Sequence, residues 1–260
     1  MPIDLQGKVA IVTGSTQGLG LGIARIMAKA GCDVAGCGLS SPESEKGSSF
    51  RSVVEGNGQK SYYQVVDVKS EKEIDHFVDN VINRFGKIDI LISNAGKNLF
   101  TSPENCTGSF WDENGDLNLK SHWLISKACY PELKKNKGFI LLMTSNHAYS
   151  TISDCFPYNV TKAGITGLVQ ALAVQWGPDV RVLGLAPGFI ETEGGESWFQ
   201  SFPDPEKKRQ EIIRIHPIKR LGTVDEIGAF CAFLSSGYAG FMTGATYLID
   251  GGRSAVMQDI

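Results

Sequence analysis

The run Lys8-Val-Ala-Ile-Val-Thr13-Gly14-Ser15-Thr16-Gln17-Gly18-Leu19-Gly20 decides how this chain folds. Its first half is short, apolar and β-branched, and it reads as a buried strand. A glycine-rich turn follows. Leu19 to Ala30 then carries apolar residues at helical spacing, and Gly31 ends the helix. Glycines at such a turn let the backbone bend tightly and come close to a phosphate. The helix start beyond it offers unpaired N–H groups and a positive dipole end, which suit a pyrophosphate. The spacing is G-x-x-x-G-x-G rather than G-x-G-x-x-G. The Lys-Ser/Thr pair of a P-loop is missing, which disfavours nucleoside triphosphate hydrolysis. A plain strand-to-helix turn is the competing reading, but glycines this dense directly after the first strand favour a nucleotide.

Working outward, short apolar runs at Asp33–Cys37, Ser61–Val66, Ile88–Ile92, Phe139–Met143, Val180–Leu185 and Thr246–Ile249 read as further strands. Helical patterns lie between them, at Ser70–Phe85 (capped by Ser70, closed by Gly86), about Phe110–Lys135, Pro157–Trp176 and Val224–Ser235. Ser40–Ser49 reads as a loop or a poor helix start, and Glu191–His216 as irregular, then partly helical. Strands alternating with helices imply an α/β fold, a doubly wound parallel β-sheet with helices on both faces. No linker or repeat divides the chain, so one domain over residues 1–260 is expected.

Composition narrows the function. Of 260 residues, 42% are hydrophobic and 20% charged, with a net charge of −3, which suits a globular core. Lys207-Lys208-Arg209 is an isolated basic triplet, read as a solvated helix face, so neither nucleic acid nor an anionic membrane is an implied partner. The first eight residues hold no apolar signal core, and no stretch approaches the ~20 apolar residues that span a bilayer. Six scattered cysteines without C-x-x-C spacing fit reduced thiols and a cytoplasmic location, and four histidines without H-x-x-x-H pairing give a metal little support.

Tyr158 and Lys162 are four apart in a helical segment, so they share one face. A phenol near its ordinary value of about 10 is a poor base at neutral pH, and an adjacent ammonium favours the phenolate. The bland reading is a packed aromatic under a solvated charge. Ser145 ends the fifth strand, on the edge where open α/β sheets bind ligands. Asn94-Ala95-Gly96 closes the fourth strand, and Asp67 ends the third, where a carboxylate could meet an adenine amino group. Asn118 sits inside a helical run. It is either structural, bonding local backbone, or a water-holding kink facing the site.

Together these residues resemble the short-chain dehydrogenase/reductase family in its compact, Rossmann-like form, over Lys8 to Gly252. Thr13 to Gly20 matches the family's T-G-x-x-x-G-x-G loop. Asn94-Ala95-Gly96 matches its N-A-G, with Ser93 where Asn is more usual. Tyr158-Asn-Val-Thr-Lys162 matches Y-x-x-x-K, and Asp250-Gly-Gly252 matches a C-terminal D-G-G. The resemblance implies hydride transfer with Tyr158 as acid/base, Lys162 lowering its pKa and holding ribose, Ser145 on the substrate oxygen and Asn118 holding a water. It implies cofactor contacts from Gly14, Ser15, Thr16, Gln17, Gly18, Leu19, Gly20, Leu39, Ser40, Asp67, Val68, Asn94, Ala95, Gly96, Pro187, Gly188, Ile190 and Thr192, besides Tyr158 and Lys162.

Gly38-Leu39-Ser40-Ser41 at the end of the second strand offers neither an acid for a ribose nor a base for a 2′-phosphate. NAD is therefore the expected cofactor, with NADP open through Ser40 or Ser41. Asn98, Asn146 and His147 suggest a polar sugar or polyol, contacted by Asn98, Ser145, His147, Tyr158 and Trp198. The alternatives are a 3-oxoacyl or other small-ketone reductase, and a non-catalytic dinucleotide sensor. Residues 191–216, with Trp198, Phe199 and Phe202, read as a substrate lid. Family members are commonly homotetramers or homodimers, and Val224–Ser235 with the tail through Ile260 could supply such an interface.

Overall fold

The first strand, β1 (Val9–Thr13), sends Val9 and Ile11 into one core cluster and Ala10 and Val12 into another. Strand side chains alternate between faces, so both faces of this strand must be covered. In the computed structural model, which describes residues 3–257, they are.

From β1 the chain runs through α1 (Gly18–Lys29), β2 (Asp33–Gly38), α2 (Glu45–Glu55), β3 (Ser61–Val65), α3 (Glu71–Phe85) and β4 (Ile90–Ser93). It continues through a two-residue strand β5 (Phe100–Thr101), α4 (Gly108–Gly115), a π-helical turn at Asp116–Lys120, α5 (Ser121–Lys135) and β6 (Phe139–Met143). Then come β7 (Phe156–Pro157), α6 (Tyr158–Trp176), β8 (Arg181–Pro187), α7 (Glu193–Phe199), α8 (Pro205–Arg214), α9 (Val224–Ser235) and β9 (Thr246–Ile249). Among the described residues the main sheet has seven strands in the order β3-β2-β1-β4-β6-β8-β9, and every pairing in it is parallel. The order reverses between β1 and β4, which opens a crevice at their carboxyl ends. Ile74, Phe77, Leu124, Ile125, Ile165 and Val169 from α3, α5 and α6 cover one face. Ile23, Met27, Phe50, Ile227 and Cys231 from α1, α2 and α9 cover the other.

Several boundaries differ from the sequence reading for identifiable reasons. The Ser-rich stretch does become a helix, because the Ser44 hydroxyl accepts from Gly47 N at 3.2 Å and caps α2. The long helical pattern at 110–135 is interrupted by the π turn, a feature of local hydrogen bonding that hydrophobic spacing does not register. Pro157 lies outside α6, as its N-cap, and pairs in β7 with β5. In the expected lid, α7 and α8 are ordered helices capped by Thr192 and Asp204. Residues 258–260 of the tail expected at an interface lie outside the described residues. No helix among the described residues is long and apolar enough to cross a membrane.

One carboxylate fixes the register of β1 against β4. Asp89 is 4% exposed, accepts from Val9 N at 2.9 Å, and pairs with Lys8 and Lys87, each at 3.0 Å. Burial pushes its carboxyl up, but the Val9 N–H and the two ammonium groups outweigh burial and hold it below the ordinary value. A depressed carboxyl adds stability above its unfolded value and loses it as pH falls through the folded one. Asp89→Asn should therefore cost about 1–3 kcal/mol at pH 7. In urea titrations the gap to wild type should close below about pH 4. A gap that persists at low pH would show that the charge is not the cause.

Candidate active site

At the crevice, Thr13 Oγ1 accepts from Asn94 N and Ala95 N, both at 2.9 Å, while Asn94 Nδ2 donates to Thr13 O at 3.0 Å. The glycine loop and the Asn94-Ala95-Gly96 turn thus form the two lips of one cleft. Gly14 has φ +65°, and a Cβ there would come within 3.0 Å of Ala95 Cα. A Cβ at Gly20 would strike the Gly14 carbonyl and the Asn94 amide. Only glycine permits that approach. Gln17, at the N-cap of α1, makes no side-chain cap bond, so the helix start is left to an external acceptor. Thr192 reaches across from beyond β8, with methyl and Cβ 3.8 Å from where a Cβ of Gly18 would stand.

Not every predicted cofactor residue presents its side chain to the cleft. The Ser15 hydroxyl is buried without a partner and packs beside Gly36 and Phe50, so Ser15 can contribute only backbone. Gln17 Oε1 accepts from Lys46 Nζ at 2.5 Å. The end of β2 offers no base, but α2 brings a cation to the glycine loop from 29 residues away in sequence. Leu39 is largely exposed at the end of β2, and the Ser40 carbonyl accepts from the Tyr63 hydroxyl at 2.9 Å. Asp67 lies just beyond β3, its carboxylate accepting from Lys69 N at 3.0 Å, and Val68 is buried. Pro187 ends β8, Gly188 packs on Asp250, and Ile190 bridges to Gly222.

Tyr158, Lys162, Ser145 and Asn118 converge on the same edge. Tyr158 and Lys162 are 8% and 4% exposed, and Nζ lies over the phenol ring at 5.6 Å from its centroid. Lys162 Nζ donates to Met143 O at 3.1 Å, and Thr144 Oγ1 donates to Lys162 O at 2.6 Å, which ties α6 to the end of β6. Burial pushes the Tyr158 phenol up to about 12, against the neighbouring Ser145 hydroxyl, which favours the phenolate. Burial pushes the Lys162 ammonium down to about 8. The sequence reading had Lys162 lowering Tyr158. In the structure burial is the dominant influence on both groups, because both are taken out of water.

Asn118 is fully buried in the π turn. Its Oδ1 accepts from Lys97 N and its Nδ2 donates to Lys97 O, both at 2.9 Å, so its amide clamps the chain directly after Gly96. A Cβ on Gly96 would lie 2.8 Å from Asn118 Oδ1 and 3.5 Å from Lys162 Nζ, which places both groups around one glycine. Its backbone partners lie in a neighbouring loop rather than in its own helix.

Of the predicted substrate residues, His147 stands beside Tyr158 with ring centroids 6.1 Å apart, edge to face. Trp198 does not join them. It packs against Phe189, Phe199 and Phe202 within the lid segment. Asn98 is exposed on the loop leading to β5. Sequence reasoning missed Phe100, whose ring sits 5.1 Å from Tyr158, and Cys155, whose Sγ is 3.3 Å from His147 Nδ1. It also missed fully buried His122, 2.7 Å from Ser93 Oγ and held below its ordinary value by burial and by Lys162. Only the Ser93 departure from the family motif hinted at that pair. No cluster of metal-binding side chains occurs among the described residues.

A family profile described as enoyl-(acyl carrier protein) reductase matches residues 14–254. The Escherichia coli (strain K12) oxidoreductase UcpA is 34% identical over 255 residues, covering 96% of this chain and 95% of its own. Among solved structures, the Cj0485 dehydrogenase superposes with TM-score 0.92 at 28% identity, over 99% of this chain and 98% of its own. The aldohexose dehydrogenase of Thermoplasma acidophilum gives 0.90 at 26% identity, over 100% and 99%. The chain belongs to the short-chain dehydrogenase/reductase family, oxidoreductases that generally bind NAD(P). Its residues fit that cofactor: the uncapped start of α1, the side-chain-free approach at Gly14 and Gly20, and a buried ammonium at Lys162 suit a pyrophosphate and a ribose.

Holding Lys162 out of water has a stability consequence. Its folded value lies below its unfolded one, so the unfolded chain binds more protons between about 8 and 10.5, and stability rises with pH there. Below about pH 8 the full penalty is present. Lys162→Met should thus stabilise the fold at pH 7 by on the order of 1–3 kcal/mol, with the gain vanishing towards pH 10.5, while turnover is lost. A variant less stable than wild type in urea at pH 7 would contradict this.

Proposed function

We propose that the chain transfers a hydride between a nicotinamide and an alcohol or carbonyl carbon, with a sugar or polyol as the substrate class. The observation that carries this is the convergence of Tyr158, Ser145 and Lys162 on the cleft bounded by the glycine loop. The nicotinamide, when bound, accepts or supplies the hydride. The Ser145 hydroxyl donates to the substrate oxygen and stabilises charge developing there. Tyr158 gives that oxygen a proton on reduction and removes it on oxidation. Lys162 holds the ribose hydroxyls, and Asn118, by clamping Lys97, keeps the Gly96 turn open beside Lys162 and orders the proton path to solvent.

Two features support the polar substrate: His147 beside Tyr158, and the structural likeness to an aldohexose dehydrogenase. Reduction of a small ketone or 3-oxoacyl group is the second reading. It is favoured by the high proton affinity of Tyr158, which keeps the acid loaded at neutral pH. For the cofactor, the missing base at the end of β2 favours NAD, while Lys46 at Gln17 favours NADP. Cofactor contacts run along the glycine loop, Leu39–Ser40, Asp67–Val68, Asn94–Gly96 and Pro187–Thr192. The segment 191–216 is the lid. The protein works in the cytoplasm as a homotetramer or homodimer.

Tyr158→Phe should lower kcat/KM by roughly 10²–10⁴-fold while NAD(H) binding, read by fluorescence titration, stays intact. Comparable activity in that variant would sink the mechanism. Because Tyr158 must lose a proton to act as base, oxidation should climb steadily from pH 7 to 10, whereas reduction should hold flat. NAD and NADP assayed side by side over sugars, polyols, secondary alcohols and ketoacyl esters decide the cofactor. If NADP is used, Lys46→Ala should raise its KM more than that of NAD.

A further inference from the structure

We infer that His147 donates a hydrogen bond, through Nε2–H, to a second oxygen next to the reacting carbon, and that Cys155 fixes the imidazole tautomer that makes this possible. The substrate is then a vicinal diol or its hydroxycarbonyl counterpart. Tyr158 acting on the reacting oxygen, as proposed above, is the reading on which this rests.

Three rings form one wall. The Phe100 ring leans on Tyr158 at 5.1 Å and on His147 at 6.2 Å, and His147 meets Tyr158 at 6.1 Å with an interplanar angle of 76°. His147 N also donates to Ser145 Oγ at 3.2 Å, so the imidazole is geared to the hydroxyl that faces the substrate oxygen. Both ring contacts fall on one nitrogen: Nδ1 lies 3.3 Å from Cys155 Sγ and 3.4 Å from Thr151 Oγ1. Cys155 is 2% exposed, and burial pushes its thiol up, so it keeps its proton. A thiol sulfur is a weak acceptor and an imine nitrogen a good one, so the S–H points at Nδ1. Burial, and then Arg253, hold His147 below its ordinary value, so the ring is neutral. A neutral imidazole carries its single proton on the other nitrogen when Nδ1 accepts. Nε2–H is left as an uncharged donor, suited to a hydroxyl or carbonyl oxygen. Ser145 and Tyr158 already take the reacting oxygen, so a donor one ring away meets its neighbour. Cys155 touches no substrate and acts as a positioning residue.

The test uses the full chain with ¹⁵N-labelled histidine. In the protein alone, His147 should show an imine Nδ1 and a protonated Nε2. Cys155→Ala should mix the tautomers, and Cys155→Ser, whose hydroxyl donates from the same place, should restore one. With NADH, which forms a non-reacting complex with an alcohol, butane-2,3-diol should shift the Nε2–H resonance and butan-2-ol should leave it in place. In turnover with NAD or NADP, the kcat/KM ratio of diol to mono-alcohol should fall at least ~10-fold in His147→Leu. A protonated Nδ1 in wild type, an Nε2–H shift of equal size with both alcohols, or an unchanged ratio overturns the inference. Failure of the Tyr158→Phe result would strike the proposed chemistry instead, since the tautomer spectra do not depend on turnover.

Discussion

The hydroxyl of Thr13 holds the cleft together. It sits at the last residue of β1 and accepts two backbone N–H groups from the turn that leaves β4. Each bond is worth only about 1 kcal/mol net. Losing the acceptor, however, would strand two amides in a nearly closed place, and unmade bonds cost more than made ones return. The pair also sets distances. With Asn94 and Ala95 drawn this close, the space over Gly14 and Gly20 is full, and the loop cannot carry side chains there. The open geometry of the glycine loop therefore follows from strand pairing at the switch point as much as from the loop itself.

Against that frame the buried Tyr158–Lys162 pair is a place where the fold works against itself. Desolvation drives the proton onto the phenol and off the amine. Two local groups oppose this, the Met143 carbonyl accepting from Nζ and the Ser145 hydroxyl beside Tyr158, while the Thr144 hydroxyl anchors α6 through the Lys162 carbonyl. Two ionisable groups whose values are pushed in opposite directions by one environment form a pair suited to proton transfer. The ends of β6 and α6, rather than a neighbouring charge, set where the proton rests.

Much of this was legible in the chain because it is local. Strand and helix periods placed β1, α3, α6, α9 and β9 to within a residue or two, with Ser70 and Gly86 marking the ends of α3 as capping chemistry predicts. Ser145, Tyr158 and Lys162 were legible because a strand end and one helical turn suffice to bring them together. What escaped depends on distant pairing. A two-residue strand such as β5 has no period to detect, yet its pairing with β7 puts Phe100 on Tyr158. Lys46 reaches Gln17 only because α2 folds back over the loop. The proton affinities escaped for the same reason, since burial is a property of the assembled core.

The polar network behind the wall joins these two kinds of information. Asn118 clamps Lys97 and donates to Asn114 Oδ1 at 3.0 Å; Thr161 Oγ1 donates to the same Asn114 Oδ1 at 3.2 Å, and Asn114 Nδ2 donates to Leu99 O at 2.8 Å. Asn114, Asn118 and Thr161 are all buried, so each bond also satisfies a group that water cannot reach. The loop that carries Phe100 is thereby tied at Lys97 and Leu99 to the π turn and to the helix that carries Tyr158 and Lys162. The π turn adds the residue that aims Asn118 at that loop while Asn114, four positions earlier, still faces it. On the proposed reading the reaction uses residues one helical turn apart, whereas the loop that carries Phe100 is placed by two amide side chains and a threonine hydroxyl.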